Sequence, residues 1–482
     1  MHMQNSFKII MAIIFLSLTF HGCEKEDDNY VAKELKVNDF IWKGMNLYYL
    51  WQSIEPDLSD ERFQNQADLN NFLSNFSDPF ALFQHLRVDP EIDRFSVMFS
   101  DYRVLEGVLS GTTENNGVEF GLRYYPGSTT EIFGFVRYII PGSDAASKDI
   151  HRGDIFFAIN GTALNINNYQ SLLSADNYTL NLADYDNGNI IPNGQSVTLT
   201  KTVLSENPVL ISSVINSGSH TIGYLMYNGF YPNYENELNA AFGQLASQNI
   251  TDLVLDLRYN GGGSIATATR LASMITGQFS GQVFAREQWN AKAQAYFESH
   301  DLADTENYFT NTLDNGSALN SLNLSRVYVL TSKSTASASE LVINGLEPYI
   351  DVIQIGDATT GKNVGSITLY DSPDFKKQGS NPDHKFALQP IVLKIVNKNG
   401  FGDYLSGLPP DVVLFEDMGN LGELGNESEP LLNAAINEIT NSGRILRFPS
   451  KTFEHFKDSK SINPLQNEMY RSQVPDNIVD IK

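Results

Sequence analysis

Leu253-Val254-Leu255-Asp256-Leu257 runs directly into Arg258-Tyr259-Asn260-Gly261-Gly262-Gly263-Ser264 and then into the helical pattern Ile265 to Ile275, and this stretch decides the fold. An apolar run of this length without alternation fits a strand covered on both faces. Val327-Tyr328-Val329-Leu330 before the helical stretch Ser337 to Leu346 has the same form, and Val352-Ile353-Gln354-Ile355 before a glycine loop has it again. Strands of continuous apolar character alternating with helices predict a largely parallel sheet, and hence an α/β domain over residues 208–446. Upstream, the texture differs. Val118 to Arg123, Ile132 to Val136 and Asp154 to Ile159 are short strands between Gly, Pro and Asn, predicting a compact β-rich module over 106–207. Within it, the polar residues between Asp176 and Asn193 read as loop, and Val197 to Thr200 with Val203 as a closing strand. Apolar residues at Phe40, Ile41, Met45, Leu47, Leu50 and Trp51, then at Leu69, Phe72, Leu73 and Phe76, predict a small helical domain over 37–105. Residues 447–482 are polar and aperiodic, an extension with no assignable role.

The whole is a mixed α/β, multidomain chain, and its 482 residues suit about three domains. Apolar residues at 41% with 29 Phe and 22 Tyr exclude a disordered or collagen-like chain. The net charge of −24 repels nucleic-acid phosphate, so no nucleic-acid partner is expected. A single cysteine forms no internal disulfide and no thiolate zinc cage, and no metal or cofactor is implied.

That cysteine has an informative position. Lys8 precedes the apolar run Ile9 to Phe20, shorter than the roughly 20 residues of a spanning helix, which suits a signal peptide over residues 1–23. Gly22 before Cys23 resembles the lipobox of bacterial lipoproteins, which implies lipidation of Cys23 and a membrane partner through that anchor. Residues 24–36, opening with Glu24-Lys25-Glu26-Asp27-Asp28, would then be an acidic tether.

Parallel sheets gather function at the carboxyl ends of their strands, which here are three loops. In the second, Thr335-Ala336-Ser337-Ala338-Ser339-Glu340, Ser337 stands where a helix presents free N–H groups, a setting for a nucleophilic hydroxyl beside an oxyanion site. The same residues form a capping box, Ser followed three positions on by Glu, and both readings of Ser337 and Glu340 are open. In the third loop, Thr360-Gly361-Lys362-Asn363-Val364-Gly365-Ser366, Lys362 has no carboxylate beside it in sequence. A lysine serves as a base only if burial brings its pKa from about 10.4 towards about 7, at a cost of about 4–5 kcal/mol. Otherwise Lys362 is a solvated surface lysine. In the first loop, Gly262 or its neighbours are free to offer backbone donors, though the loop has neither the P-loop ending nor the dinucleotide spacing.

These three strings, in this order, resemble the carboxy-terminal processing (tail-specific) serine peptidases. The resemblance implies Ser337 as nucleophile, Lys362 as general base, Ala338 and Gly262 as oxyanion amides, and Glu340 as the residue that orders the site. It also implies a catalytic domain of the ClpP/crotonase-like type. Phe135-Val136-Arg137, Pro141-Gly142-Ser143-Asp144-Ala145-Ala146 and His151-Arg152-Gly153-Asp154 resemble a PDZ domain, which these peptidases carry. Gly117, Val118, Phe120 and Gly121 would then bind an extended chain end by strand addition. Asp93-Arg94-Phe95-Ser96 and Gly407-Leu408-Pro409-Pro410-Asp411-Val412 resemble further family segments, and Ser366 departs from the glutamine usual four positions after the lysine. None of His220, His300 and His384 sits in a motif that demands a Ser-His-Asp triad. The expectation is a lipid-anchored serine endopeptidase of the bacterial cell envelope acting on proteins or peptides. The alternative is an inactive PDZ-containing binding lipoprotein.

Overall fold

The computed structural model describes residues 30–440, 453–463, 465–476 and 478. Cys23 and the apolar run before it lie outside the described residues. No helix among the described residues is long and apolar enough to cross a membrane.

The central sheet has six strands in the order Val209–Ser217, His220–Tyr227, Asp252–Asp256, Arg326–Thr331, Asp351–Gly356 and Val412–Val413. The first two form an antiparallel pair, and every later neighbour is parallel. Alternation along each strand sends Leu253, Leu255, Val327 and Val329 to one face, against the helices Ile265–Thr276 and Ala338–Leu346. Val254, Tyr328, Leu330 and Ile355 face the other way, against Leu431, Leu432 and Ala435 of the helix Pro430–Thr440. Burial on both faces is the reason these strands carry no polar alternation. Asp256 pairs with Leu330, and Leu330 with Ile355, so the three strands end level and open their loops on one edge.

A second six-stranded sheet stands beside that edge, in the order Gly263–Ser264, Met469–Tyr470, Val364–Ser366, Ile391–Asn397, Val283–Trp289 and Glu306–Tyr308. The N-terminal helix Lys36–Tyr48 buries Phe40, Ile41, Met45 and Tyr48 in the same core as Leu369 and Leu388. Short helices Gln66–Leu73 and Pro79–His85 complete this layer.

The β-rich module is an antiparallel sheet in the order His455–Asp458, Val118–Tyr124, Ile132–Ile139, Ile155–Ile159, Asn177–Asp186 and Asn189–Thr200, with Thr162–Ala163 at the side of Ile155–Ile159. Its core holds Val118, Phe120, Leu122, Val136 and Phe156 beside the helix Tyr169–Ser174. Two expectations are corrected. Residues 177–200 form a long hairpin: the polar loop expected between Asp176 and Asn193 is mostly strand, running on into the strand expected at Val197 to Thr200. Tyr178, Leu180 and Leu182 alternate into the core, and Asn187 (φ 49°) and Gly188 (φ 92°) make the two-residue turn that Asn-Gly favours. The final segment, expected to have no role, contributes strands to two sheets, His455–Asp458 to the module and Met469–Tyr470 to the sheet beside the loops. Such short strands are held by main-chain hydrogen bonds and leave too few side chains to show a period.

Candidate active site

The loop after Arg326–Thr331 delivers Ser337 immediately before the helix Ala338–Leu346. Ser337 adopts φ 64° and ψ −114°, a conformation that costs a non-glycine residue about 1–3 kcal/mol and persists only where its surroundings enforce it. The enforcement is visible. Thr335 Oγ1 donates to the Leu257 carbonyl (2.9 Å), the Ala336 N–H to the Asn260 carbonyl (3.1 Å), and Ser339 Oγ to the same Asn260 carbonyl (3.0 Å). The serine loop is thus bonded to the glycine loop along its length.

Glu340 joins this loop to the one bearing Lys362. Its buried carboxylate accepts the N–H groups of Ser337 (2.6 Å), Gly361 (2.6 Å) and Lys362 (2.9 Å), and the hydroxyl of Thr359 (2.5 Å). Burial pushes the Glu340 carboxyl up, against the pull of those four donors. Capping and ordering are therefore one act of a single carboxylate. The Gly407-Leu408 segment holds the lysine loop from behind, with Leu408 N–H donating to Thr359 Oγ1 (2.7 Å). At Gly361 (φ 89°) a side chain would meet the Leu405 carbonyl, so only glycine fits.

Both Ser337 and Lys362 are fully buried, and neither Ser337 Oγ nor Lys362 Nζ has a hydrogen-bond partner among the described residues. Lys362 Nζ lies 4.4 Å from the centre of the Phe95 ring and 4.0 Å from a carboxylate oxygen of Glu468. Arg94 anchors the same loop through the Gly361 carbonyl (2.9 Å). Burial lowers the lysine's pKa, and Glu468 and Asp93 partly restore it. Burial likewise pushes the Glu468 carboxyl up to about 7.

The Gly262 N–H donates to Asn260 Oδ1 (2.9 Å), and the Gly263 N–H donates to the main-chain carbonyl of Glu468. Gly262 (φ 109°) is still required: a side chain there would strike that carbonyl, Ser337 Cβ and Ala338 N together. Ala338 stands at the positive end of its helix. Ser366 Oγ accepts from Gln389 (2.9 Å), so a buried glutamine side chain does reach the position, from the strand Ala387–Gln389 of a separate small sheet. Gly117 precedes and Val118, Phe120 and Gly121 open the strand Val118–Tyr124, second in the module's sheet, with Val118 and Phe120 in its core and Gly121 paired with Asp458. His220 bonds Asp252 (2.7 Å), His384 bonds Asp371 (2.8 Å), and His300 stacks on Tyr296 (4.1 Å between ring centres), all apart from Ser337.

Sequence reasoning missed Phe95 as a wall of the lysine pocket, although its segment had been singled out. Glu468 carried no signal at all.

The family model described as Peptidase family S41 matches residues 221–380, and that described as Peptidase S41 N-terminal domain matches residues 36–97. Residues 221–380 carry an S41 peptidase fold. The chain is 24% identical over 396 residues to the chloroplastic C-terminal processing peptidase of Tetradesmus obliquus, covering 76% of each. It is 26% identical over 247 residues to the carboxyl-terminal-processing protease of Picosynechococcus, about half of each chain at 51%. Among solved structures, one assigned as an S41 protease from Bacteroides fragilis NCTC 9343 superposes with a TM-score of 0.64 at 26% identity, covering 84% of this chain and 98% of that one. These similarities support a serine-type S41 peptidase of the C-terminal processing family, with protein or peptide substrates.

Proposed function

We propose that the protein is a serine endopeptidase of the cell envelope, anchored through a lipid on Cys23, that uses Ser337 and Lys362 on the tails of other proteins. One observation carries this reading. A buried hydroxyl and a buried amine, both without hydrogen-bond partners among the described residues, sit on loops fastened to the same Glu340 carboxylate. Neutral Lys362 takes the proton as Ser337 Oγ attacks the peptide carbonyl, then gives it to the departing amine; water hydrolyses the acyl-enzyme by the reverse use of the same pair. The N–H groups of Ala338 and Gly263 hold the oxyanion, with Gly262 keeping the space clear. The β-rich module acts as a PDZ domain, receiving extended chains along the strand that begins at Val118.

The test is to incubate the body of the protein, without residues 1–23, with an unfolded protein and to sequence the new termini. Fragments are expected from the wild type and not from Ser337→Ala; fragments from both would sink the reading.

Two further results are expected. Hydrolysis should climb with pH along a limb whose midpoint lies below the ordinary lysine value, because burial favours the neutral amine. The charged groups facing that amine are Glu468, Asp93, Arg94 and Glu340. Since the unfolded lysine holds its proton to higher pH than the folded one, stability should also rise with pH across this window. A flat pH–rate profile would contradict both the burial and the role. Glu340→Gln sets an NH2 against at least one of four donors. It should cost about 1.5–3 kcal/mol in a thermal melt, with a fall in kcat of about a hundredfold from the displaced loops.

A further inference from the structure

Residues 453–463 and 465–476 run back over the molecule and occupy both peptide-binding surfaces. His455–Asp458 adds an antiparallel strand to Val118–Tyr124, with Asp458 beside Gly121 and Lys457 beside Leu122. The added strand lies between that strand and the helix Tyr169–Ser174, where Phe456 packs edge-on against Tyr124 and Tyr169, each with ring centres 5.2 Å apart. Asp458 pairs with Arg137 (3.4 Å), whose guanidinium also donates to Ser334 in the serine loop (2.7 Å). Ser459 then bonds Glu119, and Lys460 Nζ reaches the Asn228 carbonyl (2.9 Å) among the acidic groups Glu119 and Glu206.

Farther along, Met469–Tyr470 enters the cleft as a strand parallel to both Gly263–Ser264 and Val364–Ser366. The Arg471 N–H donates to the Ser366 carbonyl (3.0 Å), and Ser366 Oγ donates to the Met469 carbonyl (3.3 Å). The Glu468 carbonyl takes the Gly263 N–H beside Ser337 and Ala338, where a substrate carbonyl would sit, and its carboxylate faces Lys362 Nζ at 4.0 Å. A carboxylate there favours the ammonium, and an ammonium is no base. Leu465, Met469 and Tyr470 are all buried.

We propose that this segment is an inhibitory occupant of the protein's own peptide sites, strand-added to the β-rich module and threaded through the catalytic cleft, which an incoming extended chain must displace. The inference rests on the peptidase reading above and adds what holds the site closed. Tethered occupancy at an effective concentration of about 1 mM, against an intrinsic affinity of about 10–100 μM for such a peptide, predicts inhibition of about 10- to 100-fold.

Three preparations test it: the body beginning at residue 24, the same body ending at residue 452, and the full body carrying Phe456→Asp, which loosens the segment without removing it. Each is assayed for hydrolysis of an unfolded protein. Each, with Ser337→Ala added, is titrated with a fluorescent peptide of residues 453–478 by anisotropy. The shortened body and Phe456→Asp are expected to hydrolyse about tenfold faster or more. The labelled peptide should bind the shortened body and not the full one, and should restore inhibition when added to the shortened body. Equal binding to both bodies, or equal hydrolysis by all three preparations, would overturn the proposal. Should the shortened body fail to melt cooperatively, Phe456→Asp decides by the same two readouts. Selective binding with no hydrolysis from any preparation would uphold the occupancy and instead refute the peptidase reading.

Discussion

Replacing Ser337 with alanine is expected to lower kcat on an unfolded protein by about ten-thousand-fold to a million-fold, and Lys362→Met by about as much. The two changes remove halves of one proton transfer, so the double variant should be no slower than either single one; an additive loss would show that they do not act together. Folding should survive both. Ser337 Oγ and Lys362 Nζ have no hydrogen bonds to lose among the described residues, and Glu340 holds the two loops through backbone N–H groups that any side chain leaves in place. Methionine should even relieve the lysine pocket, since it removes an amine whose charge burial opposes. A thermal melt unchanged or raised in Lys362→Met, with hydrolysis abolished, separates chemistry from architecture. Retained hydrolysis in both single variants would end the proposed mechanism.

The second large effect concerns stability. Arg258, wholly buried at the root of the glycine loop, forms ion pairs with Asp256 (2.8 Å) and Glu429 (2.6 Å). Its main-chain carbonyl accepts the hydroxyl of Ser332. Arg258→Ala leaves two carboxylates buried without their cation and should destabilise the fold by about 3–5 kcal/mol. Glu429 caps the helix Pro430–Thr440 through the Leu432 N–H (2.8 Å), so the damage should extend to the face of the sheet which that helix covers. Chemical denaturation monitored by far-ultraviolet circular dichroism reads this directly. A loss below about 1 kcal/mol would mean that water or rearranged neighbours compensate. Because Arg258 also steadies the glycine loop, any activity that survives should fall more in kcat than in KM.

The α/β layer was legible because its strands are buried on both faces. Val254 and Leu255, or Tyr328 and Val329, point opposite ways and are all apolar, and no surface strand looks like that. Ser337, Glu340 and Lys362 were legible as candidates because each stands in a short string with an unusual backbone requirement, and the level strand ends bring those strings to one edge. That the Gly262 amide is taken by Asn260, leaving the Gly263 amide to a different partner, was not legible, a matter of one side-chain hydrogen bond. Of the hairpin 177–200 only Val197 to Thr200 was read as strand; the rest was missed by weighing its polar residues above the alternation of Tyr178, Leu180 and Leu182 and the Asn187-Gly188 turn. Phe95 and Glu468 reach Lys362 from elements far away in sequence, and nothing local in either segment announces a distant partner.

The contact of Arg94 with the Gly361 carbonyl spans 267 residues, and the Phe95 ring beside it walls the lysine's amine. A chain still emerging from the ribosome has that ring early and the lysine only much later, with the helix that carries the serine hydroxyl synthesised between them. Until the two ends of this span meet, the amine stands in water as an ordinary cation and cannot take a proton. On the proposed mechanism, a competent base therefore arrives with the closing of the tertiary structure and not before.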